Sequence, residues 1–343
     1  MTKNLADKKT EYLKMSVGER IKLVEDVFIK YPGFNDITDK IAECHSRSKV
    51  SAEPKCFFIT GEAGCGKTTI ALYYENQYPR QTTEEGAVIP ILSSTLFAPA
   101  TVKGLATGLL DSLGDPMADA GTITNQTLRL YHLIEKCGVQ MIILDEFQHL
   151  IDRDSDTVLG VASDWLKNLL NRRTRLPMVL IGLPYSIRIL KTNPQLRRRF
   201  SVMKEIKAFG WETPEEQEDF FKFLKAVDDA LPLKERSHIN SLDTAFRLHC
   251  ASRGLISNIM KVVRTAAIMA LERGMECLTL ELMALSYDDE IASLYPGHPN
   301  PFLAEGKDLK PLPPEEEEPL KNPKTRVRRN RDQRESIGAL LCA

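Results

Sequence analysis

The feature that most constrains the fold is a glycine-rich segment placed directly after a short apolar run. The apolar run covers residues 55–60 and is followed by Gly61-Glu62-Ala63-Gly64-Cys65-Gly66-Lys67-Thr68. This segment fits the pattern G-x-x-x-x-G-K-[ST] at every fixed position. A buried strand, such a loop and a helix beginning near Lys67 together predict a phosphate-binding P-loop in an α/β fold.

Each position of the motif has a physical role in holding a nucleotide. Glycines permit tight turns, so that backbone N–H groups point toward phosphate oxygens. Lys67 supplies a cation for the β- and γ-phosphates, and the hydroxyl of Thr68 is a ligand for Mg²⁺. Inside the loop, the backbone of Cys65 matters more than its thiol. We therefore expect ATP and Mg²⁺ as cofactors, with contacts from residues 61–69, including Thr69.

A second signal lies about 75 residues further on, where the apolar run Met141–Leu144 ends in Asp145-Glu146. A buried strand would deliver Asp145 to hold Mg²⁺, and Glu146 to polarise the attacking water as a general base. The chain has no guanine signature of the N-K-x-D type, which favours ATP. The long gap suits P-loop ATPases that have an additional strand between these two strands.

A third candidate is the arginine cluster Arg197–Arg199, which precedes Phe200 and follows the apolar run at residues 178–181 by a helix-sized interval. In ring ATPases, an arginine at this point reaches the γ-phosphate bound by the neighbouring subunit and stabilises the transition state. We assign this role to Arg199, with Arg198 as second choice. The alternative is a solvated basic helix end. The assignment requires an oligomer.

Hydrophobic periodicity predicts a nucleotide-binding core over residues 51–212. Four strand-like runs alternate there with helical segments, which indicates a mainly parallel sheet. The predicted strands cover residues 55–60, 87–92, 141–144 and 178–181.

The remaining chain divides into three parts. Residues 1–50 are expected to form a loose arm to residue 15 and then helices at about 16–30 and 36–47. Residues 213–295 show only helical periodicity and are predicted to form a lid, with a capping box at its start. Residues 296–343 are Pro-rich and charged, which is typical of a disordered tail; its basic stretch is either a binding hook or solvated.

Composition limits the partners. The net charge is −1, so any DNA contact must come from local patches. The seven cysteines are scattered without C-x-x-C spacing, which favours reduced thiols in the cytosol. No apolar run reaches the roughly 18–20 residues of a membrane span, and the first residues contain no apolar signal segment. We expect a cytoplasmic protein with no membrane partner.

Several stretches carry a resemblance to one family. The two most discriminating are Asp145-Glu-Phe-Gln-His149 and Gln195-Leu-Arg-Arg-Arg-Phe200. The others are Glu19-Arg-Ile21, Tyr31-Pro32 and the segments 164–170, 176–182, 254–258 and 300–302. With these stretches, the chain resembles the AAA+ ATPases of the TniB/TnsC family, which regulate DNA transposition, over roughly residues 16–302.

The resemblance implies a P-loop AAA+ core with a C-terminal helical lid, and an ATPase that assembles as a ring or helical filament on double-stranded DNA without sequence preference. It implies transposase subunits and a TniQ-type target-selection adaptor as partners, with a CRISPR effector as the selector in some members. DNA contacts would come from Thr101 and Lys103. The rival interpretations are an ATP-gated switch of the STAND or chaperone kind, acting on protein partners, and a replication loader.

The chain departs from the family pattern at its two sensor positions. Leu183-Pro184 follow Gly182, where a small polar residue is common, and Ser257 stands where an arginine is usual. Arg253 or Arg264 could substitute for that arginine, and the candidate polar partners of Glu146 are Ser93, Ser94 and Thr95.

Two further expectations concern side chains outside the motifs. Arg172, Arg173 and Arg175 form a second basic cluster, which could face DNA, a neighbouring subunit or water. Phe97 and Trp165 are predicted to lie in the core.

Overall fold

A computed structural model describes residues 5–48, 54–84, 86–97, 100–150, 156–171, 176–305 and 309–313 of the 343-residue chain. The strands are β1 Phe57–Gly61, β2 Gln81–Thr83, β3 Gly86–Val88, β4 Ile91–Thr95, β5 Met141–Asp145, β6 Met178–Gly182 and β7 Val202–Ile206. The helices are α1 Leu5–Tyr12, α2 Val17–Glu25, α3 Pro32–Ser48, α4 Lys67–Asn76, α5 Val102–Ser112, α6 Ile123–Lys136, α7 Asp156–Asn171, α8 Ile189–Thr192, α9 Pro194–Arg199, α10 Pro214–Ala230, α11 Leu242–Ser252, α12 Ile256–Glu272 and α13 Leu280–Glu290. Short 3₁₀ turns span Phe147–Leu150, Pro184–Arg188 and Ala292–Leu294.

Five strands form a parallel sheet in the order β4-β5-β6-β1-β7. β1, β5 and β6 are buried along their whole length, because helices cover both faces of the sheet. Side chains alternate between the faces along each strand. On β1, Phe58 packs into one core with α5–α9, whereas Phe57 and Ile59 pack into another with α3 and α4. This arrangement confirms the predicted α/β fold with a parallel sheet.

The helices α10–α13 form a third hydrophobic core, which α2 joins through Val24. At the start of α10, Thr213 and Glu216 form the predicted capping box. Arg20 of α2 connects to the same unit through hydrogen bonds from Nε to the Pro232 carbonyl oxygen and from Nη1 to Glu276, both at 2.9 Å. The C-terminal region is therefore helical, as predicted, and the N-terminal helix α2 is packed against it.

Among the described helices, none is by itself long and apolar enough to cross a bilayer. The pair α11 and α12 reaches the necessary length and composition only when the two helices are joined across a 117° bend.

The strand predicted at residues 87–92 has the wrong bounds. β3 ends at Val88 and pairs with β2 in an antiparallel hairpin, and β4 enters the sheet at Ile91. Pro90 separates them, because its nitrogen has no hydrogen to donate to a β-ladder. Residues 93–95, expected beyond the strand, form the last three residues of β4.

β7 was not predicted from the sequence. It lies at the edge of the sheet beside β1, and Lys204 within it pairs with Asp36 at 2.7 Å. Edge strands are half exposed and commonly carry charges, so β7 has no apolar run to identify it.

The N-terminal arm is more ordered than expected, because residues 1–15 include helix α1. α2 begins at the predicted capping box but ends at Glu25 instead of near Lys30. Phe28 lies beyond its end and stacks on Tyr73, with 5.6 Å between ring centroids. Phe28 is therefore apolar because the segment after α2 packs on Tyr73, and its helical spacing from Val24 does not indicate another turn of α2.

The two aromatic residues predicted to be in the core differ in burial. Trp165 is 9% exposed, as expected, but Phe97 is 80% exposed, so its prediction was wrong. Leu96 is only 4% exposed, and successive side chains of an extended segment point to opposite sides. The inward direction of Leu96 accordingly turns Phe97 outward.

Candidate nucleotide-binding site

The P-loop joins the carboxyl end of β1 to α4. Gly64 and Gly66 have φ angles of +80° and +88°, in the left-handed region where a side chain is strained. A Cβ atom at Gly64 would also lie 2.2 Å from the hydroxyl oxygen of Ser257. Gly66 caps α4 without a side-chain hydrogen bond. The positive end of this ten-residue helix is therefore not covered by a capping side chain.

Lys67 is the first residue of α4 and is only 6% exposed. Its Nζ donates hydrogen bonds to the carbonyl oxygens of Gly61 at 2.9 Å and Glu62 at 2.8 Å. Burial lowers the pKa of Lys67, and the carboxylates of Asp145 and Glu146 are among the groups that oppose this shift. The ammonium group thus lies where the loop and the acidic end of β5 meet.

Asp145 ends β5, two strands from β1 in the sheet, which corresponds to about 10 Å at the usual strand spacing. Its Oδ1 accepts the Glu146 N–H at 2.8 Å, and its buried Oδ2 has no hydrogen-bond partner among the described residues. Burial raises the pKa of Asp145, and the hydroxyl of Thr68 is near enough to oppose that rise. A buried carboxylate oxygen without a hydrogen-bond partner in the described residues, on a side chain next to Thr68, is a suitable ligand for a cation.

Glu146 follows directly and has a φ of +54°, which is uncommon for a residue with a side chain. Its Oε2 accepts a hydrogen bond from Gln148 Nε2, and Nε2 of His149 lies 3.8 Å from the same oxygen. Within the described chain, residues 93–95 make no hydrogen bond to this carboxylate, so the polar partner expected there is Gln148 instead. Gln148 belongs to the Asp-Glu-Phe-Gln-His motif, and this motif is the sequence signal that could have identified it as the partner of Glu146.

The start of α12 lies directly on the P-loop. Ser257 N–H donates to the Gly64 carbonyl oxygen at 3.0 Å. Arg253 Nη2 lies 3.5 Å from the Glu62 carboxylate, which belongs to the loop. Arg264, the other candidate for the missing sensor arginine, donates from Nη2 to the Val27 carbonyl oxygen at 2.7 Å.

A cavity of about 650 Å³ runs along the P-loop at the carboxyl edge of the sheet. Its polar end contains Lys67, Thr68 and Glu146. Its other end lies between α12 and the segment that joins α2 to α3. The sequence did not predict this end of the cavity, although Tyr31-Pro32 had been singled out as part of the family resemblance. The apolar residues that line this end are Val27, Phe28, Ile29, Tyr31, Phe34, Phe223, Ile256 and Met260. Charged and polar side chains line the cavity away from the P-loop as well, namely Glu25, Lys261, Arg264, Thr265 and Glu290. The volume suits a ligand that has a charged end at the P-loop and a flat apolar group among the apolar side chains.

Thr68 and Asp145 are the residues of the described chain that could hold Mg²⁺ beside a nucleotide. No group of three or more His, Cys, Asp or Glu side chains suitable for a metal was found in the described ranges. Thr68 and Asp145 offer one hydroxyl and one carboxylate, and Mg²⁺ in such sites takes its remaining ligands from water and phosphate.

The structure brings residues 61–69, Asp145 and Glu146 together, but places the other predicted site residues elsewhere. Arg199 ends α9, and its carbonyl oxygen accepts the Cys56 N–H immediately before β1. Arg199 therefore lies at the amino edge of the sheet, about 16 Å of strand from the P-loop. The arginine cluster at residues 172–175 lies outside the described residues, as does the basic tail stretch.

Thr101 and Lys103 lie at the start of α5. The hydroxyl of Thr101 accepts the Gly104 N–H at 2.9 Å and so caps the helix. Lys103 is exposed in the first turn. Neither residue lines the cavity at the P-loop.

A parallel sheet with a P-loop after an inner strand, an acidic end on another inner strand and a helical lid defines the AAA+ class. The sequence profile described as "TniB: Bacterial TniB protein" matches residues 20–212, more than half of the chain. The chain therefore belongs to the TniB family. Among curated proteins, no sequence match was found.

Solved structures share this fold at low sequence identity. The ORC2 protein of Aeropyrum pernix, solved as ADPNP-ADP complexes, has a TM-score of 0.58 at 15% identity, covering 79% of this chain and 72% of that one. CDC6P from Pyrobaculum aerophilum has a TM-score of 0.57 at 14% identity, covering 77% and 68%. The Aeropyrum pernix ORC1 protein, solved in complex with DNA, has a TM-score of 0.52 at 15% identity, covering 79% and 70%.

Proposed function

We propose that the chain is an ATP-dependent regulator of DNA transposition. It assembles on duplex DNA with ATP, connects target selection to the transposase and hydrolyses ATP to control the assembly. The observation that carries the proposal is the meeting of the P-loop, Asp145 and Glu146 beneath α12 in a member of the TniB family.

The residues at the polar end of the cavity have distinct proposed roles in hydrolysis. Lys67 exchanges its two carbonyl contacts for phosphate oxygens, and Glu146 takes a proton from the attacking water. Thr68 and Asp145 hold Mg²⁺, which when bound neutralises charge on the phosphates. The apolar end of the cavity takes the adenine base. The nucleotide present in the Aeropyrum pernix ORC2 structure is consistent with this use of the fold.

Arg199 is proposed to complete the site of a neighbouring subunit. Its place at the amino edge of the sheet prevents it from reaching the nucleotide bound by its own P-loop, which lies at the carboxyl edge. Arg199 is partly exposed at the end of α9, so a neighbour that packs against this end brings its own nucleotide to it. With this role for Arg199, self-assembly would be head-to-tail, in a ring or filament.

DNA contact is proposed at the start of α5. Lys103 is exposed there and would meet phosphate, a contact that increases affinity without sequence preference. Thr101 would contribute through the helix start that it caps, since helix N-termini bind phosphate. The Aeropyrum pernix ORC1 protein of the same fold was solved with DNA, which makes duplex binding by this fold reasonable.

The proposed protein partners come from the family resemblance. They are transposase subunits and a TniQ-type adaptor, of the kind that joins a target selector in CRISPR-associated transposons. The protein is proposed to act in the cytoplasm.

A duplex-DNA titration by fluorescence anisotropy tests the proposal. Random-sequence DNA is titrated with wild type and Lys67→Ala in Mg²⁺-ATP, in ADP and without nucleotide. We expect tight, cooperative binding only for wild type with ATP, weakening steeply with salt because phosphate contacts release counterions. Absence of binding in every nucleotide state would overturn the DNA-directed proposal and favour an ATP-gated switch acting on protein partners.

A matched pair of lysine variants locates the DNA contact. Lys103→Ala should weaken binding and reduce the steepness of the salt dependence, by about one unit for each phosphate that the variant no longer neutralises. Lys136→Ala is the control, because this exposed lysine ends α6 ahead of β5, at the opposite edge of the sheet. Equal effects of the two changes would contradict the assignment to α5.

A further inference from the structure

The Asp145-Glu-Phe-Gln-His149 motif contains a buried amide that bonds to Glu146 and lines the nucleotide cavity. Gln148 lies in the 3₁₀ turn after β5 and is only 4% exposed. An uncharged polar side chain is stable in such a place when its donors and acceptors are paired. The partners of the amide therefore indicate its role.

Both ends of the Gln148 side chain are paired. Nε2 donates a hydrogen bond to Glu146 Oε2, and Oε1 accepts the Leu183 N–H at 3.3 Å. Leu183 directly follows β6, the strand between β5 and β1. Gln148 thus connects the carboxylate of Glu146 to a fixed backbone group on the neighbouring strand, on the side toward the P-loop.

The surroundings leave room for this link. A Cβ atom at Gly182 would lie 3.1 Å from Gln148 Oε1 and 2.7 Å from the Ser186 hydroxyl oxygen, so only glycine fits there without displacing a neighbour. His149 approaches the same oxygen of Glu146 but stays at 3.8 Å, beyond hydrogen-bond range. In the described part of the chain, Gln148 is therefore the side chain that donates a hydrogen bond to this carboxylate.

The backbone of Glu146 is held in a fixed conformation. Its φ of +54° and the hydrogen bond from its N–H to Asp145 fix the main chain, which leaves the side-chain torsions to decide where the carboxylate points. An amide donor sets those torsions without titrating and without neutralising the carboxylate, so the carboxylate remains a base.

We propose that Gln148 is a positioning residue for Glu146, and that it replaces the polar side chain which the sequence lacks after Gly182. The inference rests on the proposed hydrolysis of ATP by this site. It goes beyond that function by assigning the orientation of the general base to one amide, anchored on the Leu183 backbone.

Gln148→Glu is the sharpest test, because it keeps the shape of the side chain and replaces the donor with a carboxyl group. Two carboxyl groups would then face each other, and Glu146 would lose the amide donor that orients it. We expect kcat to fall by on the order of 10–100-fold, with KM for ATP within about threefold of wild type.

Gln148→Leu removes both hydrogen bonds and should also lower kcat. Its matched control is Gln126→Leu, since Gln126 is also a fully buried amide, bonded to Thr107 and to the Ala118 carbonyl between α5 and α6. A loss of stability alone would reduce the folded fraction in both variants, so kcat is expressed per folded protein, measured by urea unfolding. We expect the control to keep wild-type kcat.

The outcomes distinguish failure of the proposed ATP hydrolysis from failure of the proposed role of Gln148. An inactive wild-type protein, with and without DNA, would overturn the proposed ATP hydrolysis itself. An active wild type with Gln148→Glu and Gln148→Leu variants of equal kcat would overturn only the role of Gln148. A variant that changes KM for ATP and leaves kcat unaltered would overturn it as well, since it would place Gln148 in nucleotide binding.

Discussion

The ammonium group of Lys67 is bonded to two carbonyl oxygens of its own loop, and carbonyls are weaker acceptors for a cation than phosphate. We therefore expect Lys67→Ala to lose ATP binding, with Kd raised by about 100-fold or more, the equivalent of roughly 3 kcal/mol for a charge-assisted contact. Calorimetric titration with Mg²⁺-ATP measures this. Lys225→Ala, on the exposed face of α10, is the control and should bind as wild type does. Tight ATP binding by Lys67→Ala would exclude Lys67 from phosphate recognition.

Glu146 is the second residue with a measurable effect. Glu146→Gln keeps the size of the side chain and the left-handed backbone but removes the base, so ATP binding should persist while turnover slows by roughly 10²–10⁴-fold. Steady-state hydrolysis with a coupled assay, beside the same calorimetric titration, separates the two effects. Fast turnover by this variant would remove Glu146 from the mechanism.

At the scale of elements, α2 is attached to the helical lid by Arg20 and Glu276, whose side chains are 7% and 27% exposed. Hydrogen bonds from Arg20 lower the pKa of Glu276. The pair should therefore stabilise the fold fully above the ordinary glutamate value of 4.5 and lose its effect as pH falls through the lower folded pKa. The partial exposure of Glu276 limits the contribution, since water screens the pair.

Glu276→Gln tests that attachment. We expect it to reduce the free energy of unfolding by about 1–2 kcal/mol at pH 7, and to differ progressively less from wild type below about pH 4.5. Urea unfolding at several pH values measures both. Glu218→Gln breaks an exposed pair with Lys222 on α10 and should leave unfolding unchanged. A difference between Glu276→Gln and wild type that does not diminish as the pH falls would rule out the ionised pair as its source.

The elements that the sequence predicted well are those with both faces buried. β1, β5 and β6 are continuous apolar runs, and the P-loop glycines adopt the backbone angles that their spacing indicates. β7 and the β2–β3 hairpin were missed because exposed strands carry polar residues that resemble loops. The outward turn of Phe97 depends on Leu96 entering the core, which a pattern of residue types does not reveal.

The candidate site was predictable from the sequence only where its residues belong to local motifs. Residues 61–69, Asp145 and Glu146 follow motifs of fixed spacing. Six of the loop residues and Glu146 line one cavity, and Asp145 lies at the strand end directly before Glu146. The contacts of Gln148 with Leu183, and of Arg253 with Glu62, join segments far apart in the chain. Such pairs depend on strand order, and no local pattern specifies which strand ends lie side by side.

At the scale of the whole molecule, the arginine finger predicts complementation between subunits. Arg199→Ala should lower ATPase activity by on the order of 10³-fold, because the transition state loses a cation. Adding Lys67→Ala subunits, which bind no ATP but retain Arg199, should restore part of the activity in mixed assemblies. Arg197→Ala is the matched control from the same exposed helix end and should retain activity. Failure of the mixture to recover would argue against action in trans.

In the proposed assembly, the separation of Arg199 from the P-loop of its own subunit would give the assembly a direction. One surface of the protomer would donate the arginine and a different surface would receive it, so an open filament would end in a subunit whose own nucleotide lacks a partner. Such a filament has one completed site fewer than it has subunits, whereas a closed ring has none missing. The rate of ATP hydrolysis per subunit should therefore rise with filament length and level off. The terminal subunit, whose site lacks an arginine from a neighbour, should keep its ATP the longest. The length of a filament would then set how fast its subunits hydrolyse ATP on average.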